Sequence, residues 1–211
     1  MIQGLNNSKA VGKVAVAGAT AVSNLLIDIR QKLTELANSS ISASQRTIIQ
    51  NDFAELVSQA ANFVANATYN GFELLTSGAT SVNTLANLGG GQLALTAQPN
   101  VKLLINSLAA GTTATAVNAQ SVISIQFTNL QTAVASALGT IGAEVRALEQ
   151  QTGFLEELRD TTQIGLGNIV DADLARESAK LTSQQIQQEL SVQTLSIANT
   201  RPNTILSLFR G

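Results

Sequence analysis

Apolar residues recur at helical intervals along most of this chain, and one central stretch breaks the pattern. From Gly12 to Ala37, Val22, Ile29 and Leu36 stand seven apart, with Leu26 and Leu33 between them. This heptad seam predicts a helix packed lengthwise against others. Asp28 and Lys32 are four apart, an acid-first pair for the outer face. The polar run Asn38 to Ser44 ends that helix and offers caps for the next. A second helix is predicted over Ala43 to Ala67, on the line Ile49, Phe53, Leu56, Ala60, Phe63 and Ala67. A third runs from Asn118 to about Leu158, where Phe127, Val134, Ile141, Leu148 and Leu155 are each seven apart. Ile123, Leu130, Leu138 and Val145 supplement this seam. Gly139, Gly142 and Gly153 each weaken an isolated helix by up to about 1 kcal/mol relative to Ala, and are read as admitting close packing.

Between the second and third helices the period is lost. TYNGFELL, Thr68 to Leu75, centres on Asn70-Gly71, a turn signal because both residues tolerate positive φ. From Thr76 to Thr115, Gly, Ser, Thr and Asn alternate with short apolar runs, Gln92 to Ala97 and Val101 to Leu108. Gly89-Gly90-Gly91 and Pro99 punctuate them, and short strands or hairpins are expected.

The tail has a different logic. Gly165-Leu166-Gly167-Asn168 reads as a hinge. Asp171 is then an N-cap, with Asp173 in the first turn of a last helix. Along that helix Ala179, Ile186, Leu190 and Ile197 form one apolar line, and Leu174, Leu181, Val192 and Leu195 another. Between Thr182 and Thr200 the only charge is Glu189. A helix on a domain surface needs one apolar stripe and a charged opposite face. Apolar residues on several sides call for protein all round, which at a chain end suggests a packed assembly of many copies. The candidate assembly residues are Leu174, Leu181, Ile186, Leu190, Val192, Leu195, Ile197, Leu206 and Phe209. Heptad seams alone also suit an intramolecular bundle.

Composition supports long helices over a compact globule. Hydrophobic residues make up 45% of the 211 residues but aromatics only 3%, with no Trp. Twelve Lys and Arg against fourteen Asp and Glu leave a net charge of −2, which gives no electrostatic case for nucleic acid or an acidic membrane surface. No run of about 18 apolar residues marks a membrane span. The N-terminus lacks a signal-peptide layout.

Catalytic chemistry is sparse. With no His and no Cys, the commonest general base and the soft metal ligands are missing. Asp171, Asp173 and Glu177 do not have the spacing of a calcium loop and read as helix capping. Glu156 and Glu157 diverge on a helix, as do Ser178 and Lys180. Gly89 to Gly91 lacks the Lys-Ser/Thr of a phosphate loop. No enzyme activity, cofactor or metal is expected.

The motifs DADLARESAKL (Asp171 to Leu181), the Gln-rich Gln184 to Gln188, LSIAN (Leu195 to Asn199) and ILSLFR (Ile205 to Arg210) stand in order before the chain end. With TYNGFELL and the two helices before it, they resemble bacterial flagellins. The resemblance covers nearly the whole chain and is weakest between Thr76 and Asn118. It implies a mainly α fold: an elongated bundle of long antiparallel helices with a small β-hairpin region and a C-terminal helical extension. Residues 1–165 are expected to be rod-like, with a hairpin insertion at about 68–117. Residues 166–211 would be the C-terminal helix of the inner filament domain. Val22, Ile29, Leu36, Ile49, Phe53, Leu56, Phe63, Phe127, Val134, Ile141, Leu148 and Leu155 would line the rod core.

The implied function is a structural subunit that polymerises into the extracellular flagellar filament for motility. The implied partners are sister copies, an export chaperone and the flagellar type III export apparatus. Flagellins begin with a long amphipathic helix that pairs with the C-terminal one, and nothing here matches it. Met1 is therefore read as an engineered or processed start, and the tail as mobile or docked against a neighbour. The alternative is a cell-surface adhesin or polysaccharide-binding protein acting through Thr76 to Thr115, where no aromatic residue is available for sugar stacking. The stretch Arg30 to Leu36 departs at its Arg positions from the motif that a vertebrate innate receptor reads in this family, and strong recognition is not expected.

Overall fold

The structure, a computed structural model, describes residues 1–208, and the side chains of residues 1–199. Of the assembly candidates, Leu206 has no described side chain and Phe209 lies outside the described residues. The chain divides into two compact units, Met1–Glu156 and Glu157–Gly211.

The first unit is built on helices. Helix α1 spans Ile2–Leu36, starting ten residues before the predicted Gly12. The seam simply continues upstream, through Leu5, Ser8, Val11, Ala15 and Ala19, all buried. Val22, Leu26, Ile29, Leu33 and Leu36 are buried as the heptads predicted. By length and composition α1 would also be able to cross a membrane, but its apolar stripe is occupied by the bundle.

Helix α2, Ala43–Asn66, starts at a capping box. The Gln45 N–H donates to Ser42 Oγ, and the Ser42 N–H donates to Gln45 Oε1 at 3.0 Å. Two otherwise orphaned helix donors are thereby satisfied. The inward line of α2 is Phe53, Val57, Ala60 and Val64, continued by the buried Ala67 just past its end. Ile49, Leu56 and Phe63, expected at its centre, flank it half-buried. The stripe is wider than one seam, and the residues one position on take its middle.

Arg46 ties the α1–α2 corner. Its guanidinium donates to the carbonyls of Leu36 at 2.6 Å and Asn38 at 3.0 Å, at the C-terminal end of α1. A cation there also suits the helix dipole. Lys32 does not pair with Asp28. Its ammonium meets Asp52 of α2 at 3.2 Å and Glu35 at 3.6 Å, because α2 lies alongside and brings an acid closer. The Asp52 hydrogen bond is the main cause of a raised Lys32 pKa.

Strands β1 (Thr68–Tyr69) and β2 (Phe72–Glu73) form a hairpin in the register Tyr69↔Phe72. Asn70 (φ 52°) and Gly71 (φ 80°) make its two-residue turn with positive φ at both positions, the type I′ geometry that Asn-Gly favours. A second antiparallel hairpin pairs β3 (Val82–Leu85) with β4 (Gln92–Leu95).

Val101 to Leu108, expected as a strand, is a helix instead: α3 spans Asn100–Ala109. Val101, Ile105 and Leu108 are its buried residues, at intervals of four and three. Leucines prevail in this run, and helical spacing outweighs its two β-branched residues.

Helix α4 (Ala116–Val122) passes into one π-helical turn, Ile123–Phe127, and then into α5, Thr128–Leu208. Val122 and Phe127 are both buried although five residues apart. The wide turn absorbs the extra residue. Thr128 Oγ1 donates to the Ile123 carbonyl across it, at 3.0 Å. Beyond it Leu130, Val134, Ile141, Val145 and Leu148 are buried and Leu138 and Leu155 half-buried, while Ile123, the first residue of the turn, packs half-buried against the same core.

Close packing comes from other glycines than those predicted. A Cβ at Gly18 of α1 would lie 2.6 Å from Ala67 Cβ, and one at Gly12 would overlap Val145 of α5. At Gly139 and Gly153 it would meet nothing within 4 Å, and at Gly142 only Arg146, at 3.7 Å. Those three face outward on α5.

Polar contacts fasten the hairpins to this frame. Ser8 Oγ and Thr84 Oγ1 share a hydrogen bond inside the core, either acting as donor. The Thr96 N–H and hydroxyl both donate to Glu144 of α5, at 2.8 and 2.5 Å. Lys13 meets Glu149 at 2.7 Å, joining α1 to α5 and holding the Glu149 carboxyl below its ordinary pKa.

Candidate assembly surface

The second unit is the C-terminal part of α5. No break occurs at Gly165 to Asn168, so the expected hinge is absent, and Asp171 lies within the helix rather than capping it. Gly165 and Gly167 weaken the helix through backbone entropy, yet it runs through them unbroken.

All seven assembly candidates with described side chains are exposed within this chain. Leu174 is 61% exposed, Leu190 56% and Leu195 62%, and Leu181, Ile186, Val192 and Ile197 also stand in the open. At 3.6 residues per turn they fall on two stripes. Leu174, Leu181, Val192 and Leu195 form the first. Ile186, Leu190 and Ile197 form the second, roughly 160° round the helix. Two nearly opposed apolar faces exceed what one neighbouring surface is able to cover.

Sequence reasoning missed part of this surface. Ile164, Leu166, Ile169 and Val170 are exposed as well, and on the same wheel they point to several further directions. Reading 165–168 as a hinge hid them. Their signal was four aliphatics within seven positions.

Three hydroxyls of this stretch bond back to the helix itself. Thr182 Oγ1 donates to the Ser178 carbonyl at 2.9 Å, Ser191 Oγ to Gln187 at 2.7 Å and Thr194 Oγ1 to Ser191 at 2.9 Å. Such back-bonding removes the hydroxyls' need for outside partners. Lys180 and Glu177 approach to 4.0 Å along one face, an exposed pair of small energetic consequence. Among the described residues no group of three acidic side chains is placed to hold a metal ion, Asp171, Asp173 and Glu177 included.

Comparison with known proteins places these features in a family. Residues 121–209 match the bacterial flagellin C-terminal helical region. The chain is similar to flagellin FljM of Caulobacter vibrioides, 34% identical over 206 residues that span 98% of this chain and 75% of that one. It is 31% identical to a flagellin of Brucella melitensis, across 95% of this chain and 75% of the relative. The crystal structure of Bacillus cereus flagellin shares the fold, with a TM-score of 0.65 at 16% identity over 72% of this chain and 88% of that one.

Proposed function

This chain belongs to the bacterial flagellin family and is a structural subunit of the flagellar filament, and we propose that it assembles through the apolar stripes of its C-terminal helix. The observation that carries this reading is the exposure of Leu174, Leu181, Ile186, Leu190, Val192, Leu195 and Ile197 on one helix, the last five in a stretch, Thr182 to Thr200, whose only charge is Glu189. Fully burying one such side chain contributes roughly 1.5–3 kcal/mol before entropy costs. Several per subunit, repeated along a polymer, hold it without covalent links.

In this reading the two units divide the labour. The first corresponds to a rod-like domain with a hairpin insertion. Residues 166–211, all within the second unit, correspond to the C-terminal helix of an inner filament domain. The opposed stripes favour contact with at least two neighbours, and a patch pairing with a different patch on the next copy grows into an open filament rather than a closed dimer. The role is mechanical rather than catalytic, the filament lies outside the cell, and subunits reach it through the flagellar type III apparatus with an export chaperone on the C-terminal region. Export and chaperone binding are expectations from family membership.

Leu190→Glu and Leu181→Glu test the assembly reading. Both positions are exposed, so the circular dichroism of the soluble chain should change little. Sedimentation and electron microscopy under salting-out conditions should show large polymers for the unaltered chain and their loss in each variant. Polymerisation undiminished in both would overturn the proposal.

A further inference from the structure

Asn70 is the only asparagine in the chain followed by glycine. It sits at the exposed tip of the β1–β2 hairpin, and its side chain has no hydrogen-bond partner among the described residues. The Gly71 N–H likewise donates to no acceptor there. Gly71 has no Cβ, and even an added one would meet nothing within 4 Å. The carboxamide carbon and the nitrogen able to attack it are thus adjacent, unhindered and open to water.

We propose that Asn70 is a site of slow covalent self-modification, converted through a cyclic imide to isoaspartate. In the first step the Gly71 nitrogen bonds to Asn70 Cγ. The bond from Cγ to the side-chain nitrogen breaks, and ammonia leaves with the proton that Gly71 gives up. In the second step water opens the imide. Cleavage at the main-chain carbonyl routes the backbone through the former side chain and yields isoaspartate, and cleavage at the other carbonyl yields aspartate. No oxidant, metal or enzyme is required.

The hairpin controls the rate. In the closed type I′ turn the peptide between Asn70 and Gly71 is fixed, and attack needs rotation about the Asn70 Cα–C bond. Strands of two exposed residues each resist opening weakly. The product cannot restore the turn. Isoaspartate adds a methylene to the main chain and a carboxylate at the tip, so the Tyr69↔Phe72 register loses its two-residue connection. The modification therefore marks the age of a subunit and loosens this hairpin permanently.

The test is peptide mapping of the intact chain, aged in warm, mildly alkaline buffer with and without urea, using fragmentation that separates isoaspartate from aspartate. Asn38, exposed in a loop and followed by Ser39, is the internal reference. Conversion at Asn70 should run several-fold ahead of Asn38 in buffer, with isoaspartate the major product, and rise further in urea as the turn opens. Gly71→Ala should slow it in urea, where strain in the folded turn plays no part. Conversion in buffer no faster than at Asn38 would overturn the proposal. Rapid conversion confined to urea would overturn it too, by showing that the native hairpin does not open.

Discussion

Gly18→Ala and Gly139→Ala are the same chemical change in two helices of one bundle, and the structure gives them opposite signs. Removing a helix-interior glycine is worth about 0.5–1 kcal/mol through backbone entropy alone. At Gly139 nothing opposes that gain, since no atom lies within 4 Å of the new methyl. At Gly18 the methyl would stand 2.6 Å from Ala67 Cβ and 3.4 Å from the Phe63 carbonyl oxygen. Ala67 Cβ is fixed to the backbone and has no flexible end to swing aside. The two segments must separate, and such overpacking costs typically 1–3 kcal/mol. Gly18→Ala should therefore be destabilising by roughly 0–2.5 kcal/mol net, and Gly139→Ala stabilising by about 0.5–1 kcal/mol. Urea unfolding followed by circular dichroism measures both, and each kcal/mol moves the midpoint by roughly 0.3–1 M at unchanged slope. If Gly18→Ala stabilises as much as Gly139→Ala, the close approach of α1 to Ala67 is refuted.

Three further outcomes are expected. Thr84→Val should cost about 1–3 kcal/mol by leaving the buried Ser8 hydroxyl without its partner, whereas pairing it with Ser8→Ala should recover much of the loss; a double-mutant cycle in urea that shows simple additivity would contradict the shared bond. Arg46→Met should lower stability by roughly 1.5–3 kcal/mol, since charge-assisted bonds to the Leu36 and Asn38 carbonyls disappear while the aliphatic stem is kept; an unchanged unfolding midpoint would argue against that corner. Glu149 has a folded-state pKa below its unfolded one because Lys13 hydrogen-bonds it, so its contribution is present above the ordinary carboxylate range and lost as pH falls through the lower folded value. Glu149→Gln should accordingly be less stable than the unaltered chain at neutral pH, and the gap should close in acid; a gap constant with pH would remove the ion pair from the account.

The bundle was legible wherever burial followed a strict period. The seams through Ile29 and Ile141 were readable because an isolated heptad series has few competing explanations. Asn70-Gly71 was readable because the turn demands positive φ at both positions. Val101 to Leu108 is hard to read because its neighbourhood is rich in Gly, Ser and Thr, which masks the helical spacings of four and three. The glycines of α5 were misread for a different reason. A missing side chain marks close approach only when another element lies opposite, and sequence does not disclose what lies opposite. The tail was not readable in its continuity: Gly165 and Gly167 weaken a helix locally, yet α5 runs through them.

The π-helical turn at Ile123–Phe127 works as a phase corrector. An α-helix advances about 100° per residue, so a stripe that changes register by one position would wander off the bundle axis. Spending one residue on a wide turn resets the angle, and the residues on either side follow separate rhythms. Val122 before the turn and Phe127 at its end can then both face the core, although a plain α-helix would rotate them apart.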